Sequence, residues 1–493
     1  MDITQLLKEN SDNTNAIIEK LKSGRNAAEP DVDLFESQLN PAKHDVMQEA
    51  KRPNKKTKED ISDEEAEEYR IQNNLPVGYT GGIKERTRPV KVARIALALQ
   101  KLIVKRAVAF TFGNPIILNA EPESDNEKVV LKAVKNILLD TKSRTTNRKI
   151  AREIFSFTEA AELWYPVPVD NHIKYGFDSK FKLRVAILTH RDGNKIYPYF
   201  DETGDMTAFS REFLRVDDKK NKYAYFETYT SEAHYLWKQD KGQWEMEEGY
   251  PKPNVIGKIP VIYGQQPSVE WEDVQKLIER LEELLSNFAD TNDYHASPKI
   301  IVKGELMGFA KKGETGAILQ LEGDNADAKY LSWDHAPESV KLEIETLLRM
   351  IYTITQTPDI SFDSIKGIGA ISGIALKLLF MDAHLKVQDK MEVFDDFLQR
   401  RLNIIKAYIS QFNTQLSEAC ETLSIEPEIV PYMIEDEQAK VDLLITANGG
   451  KAVASQKTTV QQLGWVADAE AEYDQILSEE AANSSADITE PTV

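Results

Sequence analysis

After Gly373 no proline or glycine interrupts the chain for about 40 residues. Over this stretch apolar side chains recur at helical spacing: Ile374, Leu378, Met381, Leu385, Met391, Phe394, Leu398, Ile405, Ile409 and Phe412. The pattern predicts one helix over 372–415, roughly 60 Å long at the usual rise per residue. An average helix has only about 11–12 residues. A helix of this length has to be buttressed along its course, by the rest of the chain or by neighbouring copies.

What precedes it is equally distinctive. The joint TPDISFDSIKGIGAISGIALK, residues 357–377, places Gly367, Gly369 and Gly373 in a nearly uncharged loop. The spacing GxGxxxG is not the dinucleotide fingerprint, which needs a strand before it and a different interval. Glycine accepts backbone angles that other residues resist, so these positions allow bending. Upstream lie two further helical patterns. Residues 267–294 carry the stripe Val274, Leu277, Ile278, Leu281, Leu284, Leu285 and Phe288 opposite a Glu/Asp-rich face. The second, PESVKLEIETLLRMIYTITQT, closes at Pro358. Between them, residues 299–334 read as short strands around the turn FAKKGETG. The acidic face of 267–294 has two readings: a solvated surface, or a wall against a channel or another subunit.

Residues 160–265 are β-rich. AELWYPVPV, FKLRVAILTH, KIYPYFD, KYAYFETYT and AHYLWKQD alternate aromatic and β-branched residues, with DETGD and KQDKGQ as turns. An antiparallel module is expected. Stacking platforms for single-stranded nucleic acid would need interleaved basic residues, which are few here. Residues 85–112 read as a helix opened by Pro89 and stopped at Gly113, and a second helix follows at about 126–151. Residues 1–75 are charged and weakly patterned. A short helix near Ile3–Leu21 precedes a basic-to-acidic run, as in a partly mobile arm.

The chain has 493 residues and a net charge of −20. Tight nucleic-acid binding comes from Lys and Arg neutralising phosphates, so this balance argues against a protein that grips DNA. Its plain reading is solubility; the sharper one is a surface that repels DNA, which matters only where DNA has to pass nearby without sticking. With a mean hydropathy of −0.45 and no apolar run of about 18 residues, no transmembrane helix is expected. The single cysteine, Cys420, reads as a small core residue and excludes a Cys-based zinc site. NGGKAV is not a phosphate-binding P-loop, and HExxH, GxSxG and EF-hand patterns are missing. His44, His172, His190, His234, His295, His335 and His384 are scattered. The chain is expected to lack a catalytic site, a metal site and a cofactor.

The order of parts and three local segments resemble the siphophage-type portal family, the head-to-tail connectors of tailed bacteriophages. The segments are VKVARIALALQKLIVKRAVAFTFGNPIIL, KIIVKGEL, and TPDISFDS followed by SGIALK. NPAKHDVM adds a weaker likeness, and the similarity spans roughly residues 35–425. The resemblance implies a mostly helical α+β portal fold. An arm (1–75) leads to a wing of helices and antiparallel sheet (76–266), a stem helix (267–297) and a clip (298–335). A second stem helix (336–358), a tunnel loop (359–372), the long wing helix (373–424), a crown (425–475) and a disordered tail (476–493) follow. The acidic insertion near 57–70 and the short crown depart from the family pattern.

The resemblance further implies a homo-oligomeric ring of about twelve copies at one capsid vertex. Double-stranded DNA would pass through its channel during packaging and ejection. Expected partners are the terminase large subunit, the major capsid and scaffolding proteins and a head-completion adaptor, with no membrane. The setting is the virion, and the host cytoplasm during assembly. Ile365, Lys366, Gly367, Ile368, Gly369 and Ile371 would face the DNA or neighbouring loops, with Ser372 capping the long helix. Lys303, Lys311 and Lys312 would face a partner on the clip. Alternatives are another neck or baseplate protein, or a metal-dependent nuclease.

Overall fold

The computed structural model describes residues 13–60, 63–74, 76, 85–216, 220–295, 300–306, 321–330, 336–360, 378, 380–433, 437–449, 451–466 and 469–487. The chain divides into two compact units, Met1–Thr357 with Leu385–Pro431, and Pro358–His384 with Tyr432–Val493. The first is a mixed α+β body, as expected.

It opens with α1 (Thr14–Lys22), α2 (Val32–Leu39), β1 (Lys55–Asp60), α3 (Asp63–Gln72) and β2 (Glu85–Val90), β1 and β2 pairing antiparallel. Then come α4 (Leu99–Phe112), β3 (Ile117–Asn119), α5 (Asp125–Asp140) and α6 (Ser143–Phe157). A long strand, β4 (Glu159–His172), pairs with β5 (Ser179–Leu188) on one side and β12 (Val261–Gln265) on the other. Between β5 and β12 a second antiparallel sheet forms from β6 (Lys195–Phe200), β7 (Met206–Val216), β8 (Lys222–Thr230), β9 (Ala233–Asp240) and β10 (Gln243–Met246), with β11 (Lys252–Pro253) also on β9. The chain continues through α7 (Gln275–His295), the antiparallel pair β13 (Ile300–Leu306) and β14 (Leu321–Tyr330), and α8 (Ala336–Ile354). The long α9 (Met381–Phe412), α10 (Ser417–Thr422) and β15 (Glu426–Glu428), which pairs with β3, complete this series. In the second unit, α11 (Glu437–Asn448), α12 (Gln456–Leu463) and α13 (Ala469–Asp487) follow one another, with Ser455 capping α12 through the Thr458 N–H.

Period-2 alternation puts one face of each sheet inward. Ala161, Leu163, Leu188, Val261 and Tyr263 of the smaller sheet meet Ile196, Phe209 and Tyr229 of the larger. On the larger sheet, Ile17, Ile18 and Leu21 of α1 pack over Tyr197, Phe226, Trp237 and Trp244. Residues 14–22 are therefore core rather than a mobile arm. The short helix expected near Ile3–Leu21 is present over Thr14–Lys22, and its stripe Ile17, Ile18 and Leu21 is what packs inward.

α9 is fastened along the smaller sheet. The Phe394 ring meets Phe112 and Phe155 edge-on, with centroids 4.9 and 5.9 Å away. Arg401 donates to both oxygens of Glu162 at 2.6 and 2.8 Å and to the Asn147 side-chain oxygen at 2.5 Å. Arg401 and Glu162 are 3% and 0% exposed, so a bidentate geometry is what makes this burial tolerable. Tyr408 donates to the Trp164 carbonyl at 2.9 Å.

Several expectations are corrected. The helix anticipated over 85–112 begins only at Leu99, and β2 with an extended run occupies 85–98. The helix at 126–151 is two helices, broken where Lys142 takes a left-handed φ of 54°. Strand β7 escaped the sequence reading, and β14 runs as one strand of ten residues over Leu321–Tyr330. The helix expected over 267–297 starts at Gln275 after a short 3-10 turn, and the one expected over 336–358 ends at Ile354. The tail expected to be disordered from 476 is helical as far as Asp487. In the first turns of α9 the anticipated stripe lies off the buried face: Met381 and Leu385 are exposed, whereas Ala383, Lys386 and Val387 are buried.

Candidate functional site

The glycine-rich joint itself lies outside the described residues, with Ile365, Lys366, Gly367, Ile368, Gly369, Ile371 and Ser372. Its roots are described. On the entering side α8 ends at Ile354, and Gln356 takes a left-handed φ of 49°. The Thr357 N–H reaches back to the Tyr352 carbonyl at 2.9 Å and the Gln356 N–H to Thr353 at 3.1 Å. These bonds satisfy carbonyls that a helix end leaves open. Thr355 and Thr357 are buried, and the Thr355 hydroxyl bonds both the Ile351 carbonyl and the Thr357 oxygen.

The departing side is held to the same place. Lys386, near the start of α9, donates to the Thr355 carbonyl at 2.9 Å and pairs with Glu270 at 2.6 Å. Lys390, one turn later, pairs with the other Glu270 oxygen at 2.5 Å and donates to Gln266 at 3.2 Å. Glu270 sits in the run before α7, beside Val269 and the fully buried Trp271. Burial opposes the Glu270 charge, yet the two ammonium groups outweigh it and hold the carboxyl below its usual range. Lys386 thus ties the two roots of the joint together, and the buried Glu270 carboxylate holds Lys386 and Lys390 in place. Residues 355 and 386 are brought into contact across 30 intervening positions. A buried charged contact across that separation confines the two ends of the segment.

The helix leading toward this clamp is held by a second device. Glu282, Ser286 and Asp290 stand at i, i+4 and i+8 along α7. They accept backbone N–H bonds from Leu97, Ile95 and Ala93 at 2.7, 2.9 and 2.6 Å. Alternate N–H groups of an extended strand point one way, and every fourth residue of a helix points one way. The run 93–97 therefore lies along α7 as a ladder. This ladder replaces the helix anticipated there: side chains of α7 satisfy donors that would otherwise turn inward to helical carbonyls. Arg52 adds bonds to Asp290 and Asn287, both at 2.9 Å. His44 bonds the other edge of the same stripe, with Nδ1 2.7 Å from Glu282 and Nε2 2.7 Å from the Gln38 carbonyl. Both partners present acceptor oxygens, an arrangement that favours a ring protonated on both nitrogens.

This divides the acidic face of 267–294. Glu282 is buried and Asp290 half-buried, whereas Glu283 is exposed and Arg280 bridges at 3.0 Å to Glu343 of α8. Lys303 lies in β13 opposite Asp327, and Lys311 and Lys312 lie outside the described residues. The sequence reading missed Glu270, Lys386 and Lys390. A signal existed: two lysines four apart on the face that carries Ala383, Val387 and Phe394 have to meet a buried anion.

A family model described as "Phage portal protein, SPP1 Gp6-like" matches residues 31–486. No curated protein matches the chain. Among solved structures, a chain of "Neck of empty GTA particle computed with C6 symmetry" aligns with TM-score 0.41 and 10% identity, over 74% of this chain and 89% of that one. A chain of "Virion of native gene transfer agent (GTA) particle" aligns with TM-score 0.38 and 10% identity, over 74% and 88%. One of "Neck of native GTA particle computed with C12 symmetry" gives 0.37 and 11%, over 74% and 88%. At these scores the three structural likenesses carry no argument of their own.

Proposed function

The chain belongs to the phage portal protein family of structural virion components, and from that membership we propose that it forms the portal ring through which double-stranded DNA enters and leaves the capsid. About twelve copies surround the channel at one vertex. The clip, residues 298–335, faces outward and meets first the terminase and then a head-completion adaptor. The major capsid and scaffolding proteins are further partners.

The observation that carries the mechanistic part is the clamp. A loop that rubs against moving DNA needs a fixed base and a bendable tip, and Glu270 with Lys386 and Lys390 supplies the base. The glycines at 367, 369 and 373 supply the tip. A net charge of −20 per chain keeps phosphates from sticking. Lys366 adds one weak phosphate contact per subunit. Negative-stain images of the purified protein should contain rings with a central hole, and a stable monomer at micromolar concentration would overturn the reading. Lys366→Glu should assemble normally yet alter DNA packaging or retention. Unchanged packaging and retention would remove Lys366 from the mechanism.

A further inference from the structure

The charge of the chain is unevenly placed. Although the whole carries −20, residues 128–152 hold eight Lys and Arg against one acid, Asp140. The structure folds this run into the hairpin α5–α6. Lys132 and Lys135 are exposed on α5, and Lys142, Lys149 and Arg152 are exposed at the head of α6 and along it. Positions 142, 145, 149 and 152 recur at helical spacing, so they form a single stripe of roughly 15 Å. The stripe borders an open groove of about 630 Å³, whose other side is lined by Arg191, paired with Glu153, and by Asp192. Not every cation of the run is available. Arg148 is committed to the Phe112 and Gly113 carbonyls and Lys128 to Asp125. The five named above make no ion pair among the described residues.

The long helix carries the opposite sign on its outer face. Lys386 and Lys390 turn inward to Glu270, which leaves Asp389, Glu392, Asp395 and Asp396 exposed. Asp396 has Arg400 as a neighbour at 3.0 Å, whereas Asp389, Glu392 and Asp395 make no ion pair among the described residues. Partial desolvation of this otherwise exposed side chain pushes the Asp395 carboxyl upward.

We propose that the basic stripe of α5–α6 on one subunit docks against the acidic stripe Asp389–Glu392–Asp396 of α9 on the next copy of this chain. The inference rests on the ring reading and names the contact that holds neighbours in register. Two different patches of one surface meet, so the contact is heterologous, the kind that closes into a ring or runs on as a filament. A nucleic-acid seat on the same stripe is the competing outcome. Complementarity within the chain itself favours the second copy, since its partner surface is present at equal stoichiometry. Such a contact sets orientation and register more than bulk affinity, and salt weakens it.

The test uses the full-length protein and sedimentation velocity over a concentration series. Lys149→Glu with Arg152→Glu should raise the concentration for half-assembly roughly tenfold or more, and Asp389→Lys with Glu392→Lys should do the same. All four changes together should bring assembly back to within about threefold of wild type. All sites are exposed, and matching melting curves verify that each variant folds. If the wild type assembles and either reversed pair assembles equally well, the docking is wrong while the ring stands. Loss of short-duplex DNA binding in Lys149→Glu/Arg152→Glu with intact assembly assigns the stripe to nucleic acid instead. A wild type that never assembles sinks both readings.

Discussion

Single side chains decide how firmly the internal contacts hold, and His44 is the clearest case. Burial alone would lower its pKa. The hydrogen bond and charge of Glu282, with the Gln38 carbonyl on the other nitrogen, more than reverse this and raise it. A raised folded pKa means stability that is fully present below the ordinary value of 6.5 and lost as pH rises through the folded value. The advantage of wild type over His44→Gln in thermal melting should therefore shrink as pH climbs above 6.5. An advantage that stays constant with pH would mean the imidazolium is not the bonded form. Nothing in NPAKHDVM predicts this, because the carboxylate lies 238 positions away. Glu227 has the opposite sign. Burial would raise its carboxyl, yet His234, Arg211 and Tyr229 together hold it at about 2. Its contribution is present above 4.5 and is lost only as pH falls toward about 2.

At the scale of elements, the long helix was legible and its rotation was not. Period 3.6 found α9 from Phe394 onward, where Leu398, Ile405 and Ile409 are buried as expected. Earlier turns offer apolar residues on two faces, and a buried lysine decided between them. Helix and sheet approach closely at Gly264 of β12. A Cβ there would lie 2.9 Å from both Ile154 Cδ1 and Phe397 Cδ2. Gly264→Ala should therefore destabilise by about 1–3 kcal/mol through overpacking. Urea denaturation measures this, and a change under about 0.5 kcal/mol would mean that Phe397 yields freely. The stretch 91–98 teaches the converse. Its apolar spacing suits a helix, but the stripe on α7 offers acceptors at an interval that only an extended chain can meet.

Across the whole molecule, the clamp joins segments near 270, 355 and 386, and its failure should be regional. Glu270→Gln leaves the buried Lys386 and the half-buried Lys390 without their anion, a loss of roughly 3–5 kcal/mol for a broken buried pair. Hydrogen exchange should accelerate at 351–357 and 386–390 while the sheets around Phe209 stay protected. Uniform acceleration, or none, would mean that the joint is held by something else. Glu270→Leu with Lys386→Met and Lys390→Met should recover protection, since apolar replacements of a buried ionic group are tolerated when all members change together.

Local order was written in the sequence: the helical and alternating patterns, the glycines of the joint, the acidic balance and the family resemblance. These depend on neighbours within a few positions, where side-chain period and backbone freedom act directly. Tertiary structure alone decided which charges are internal. Glu162 with Arg401, Glu270 with Lys386 and Lys390, and Glu282 with His44 each join residues far apart in the chain. A charge in a sequence reads as surface because exposure is its cheapest state. Only the fold can bring the opposite charge close enough, and exclude enough water, to make burial stable.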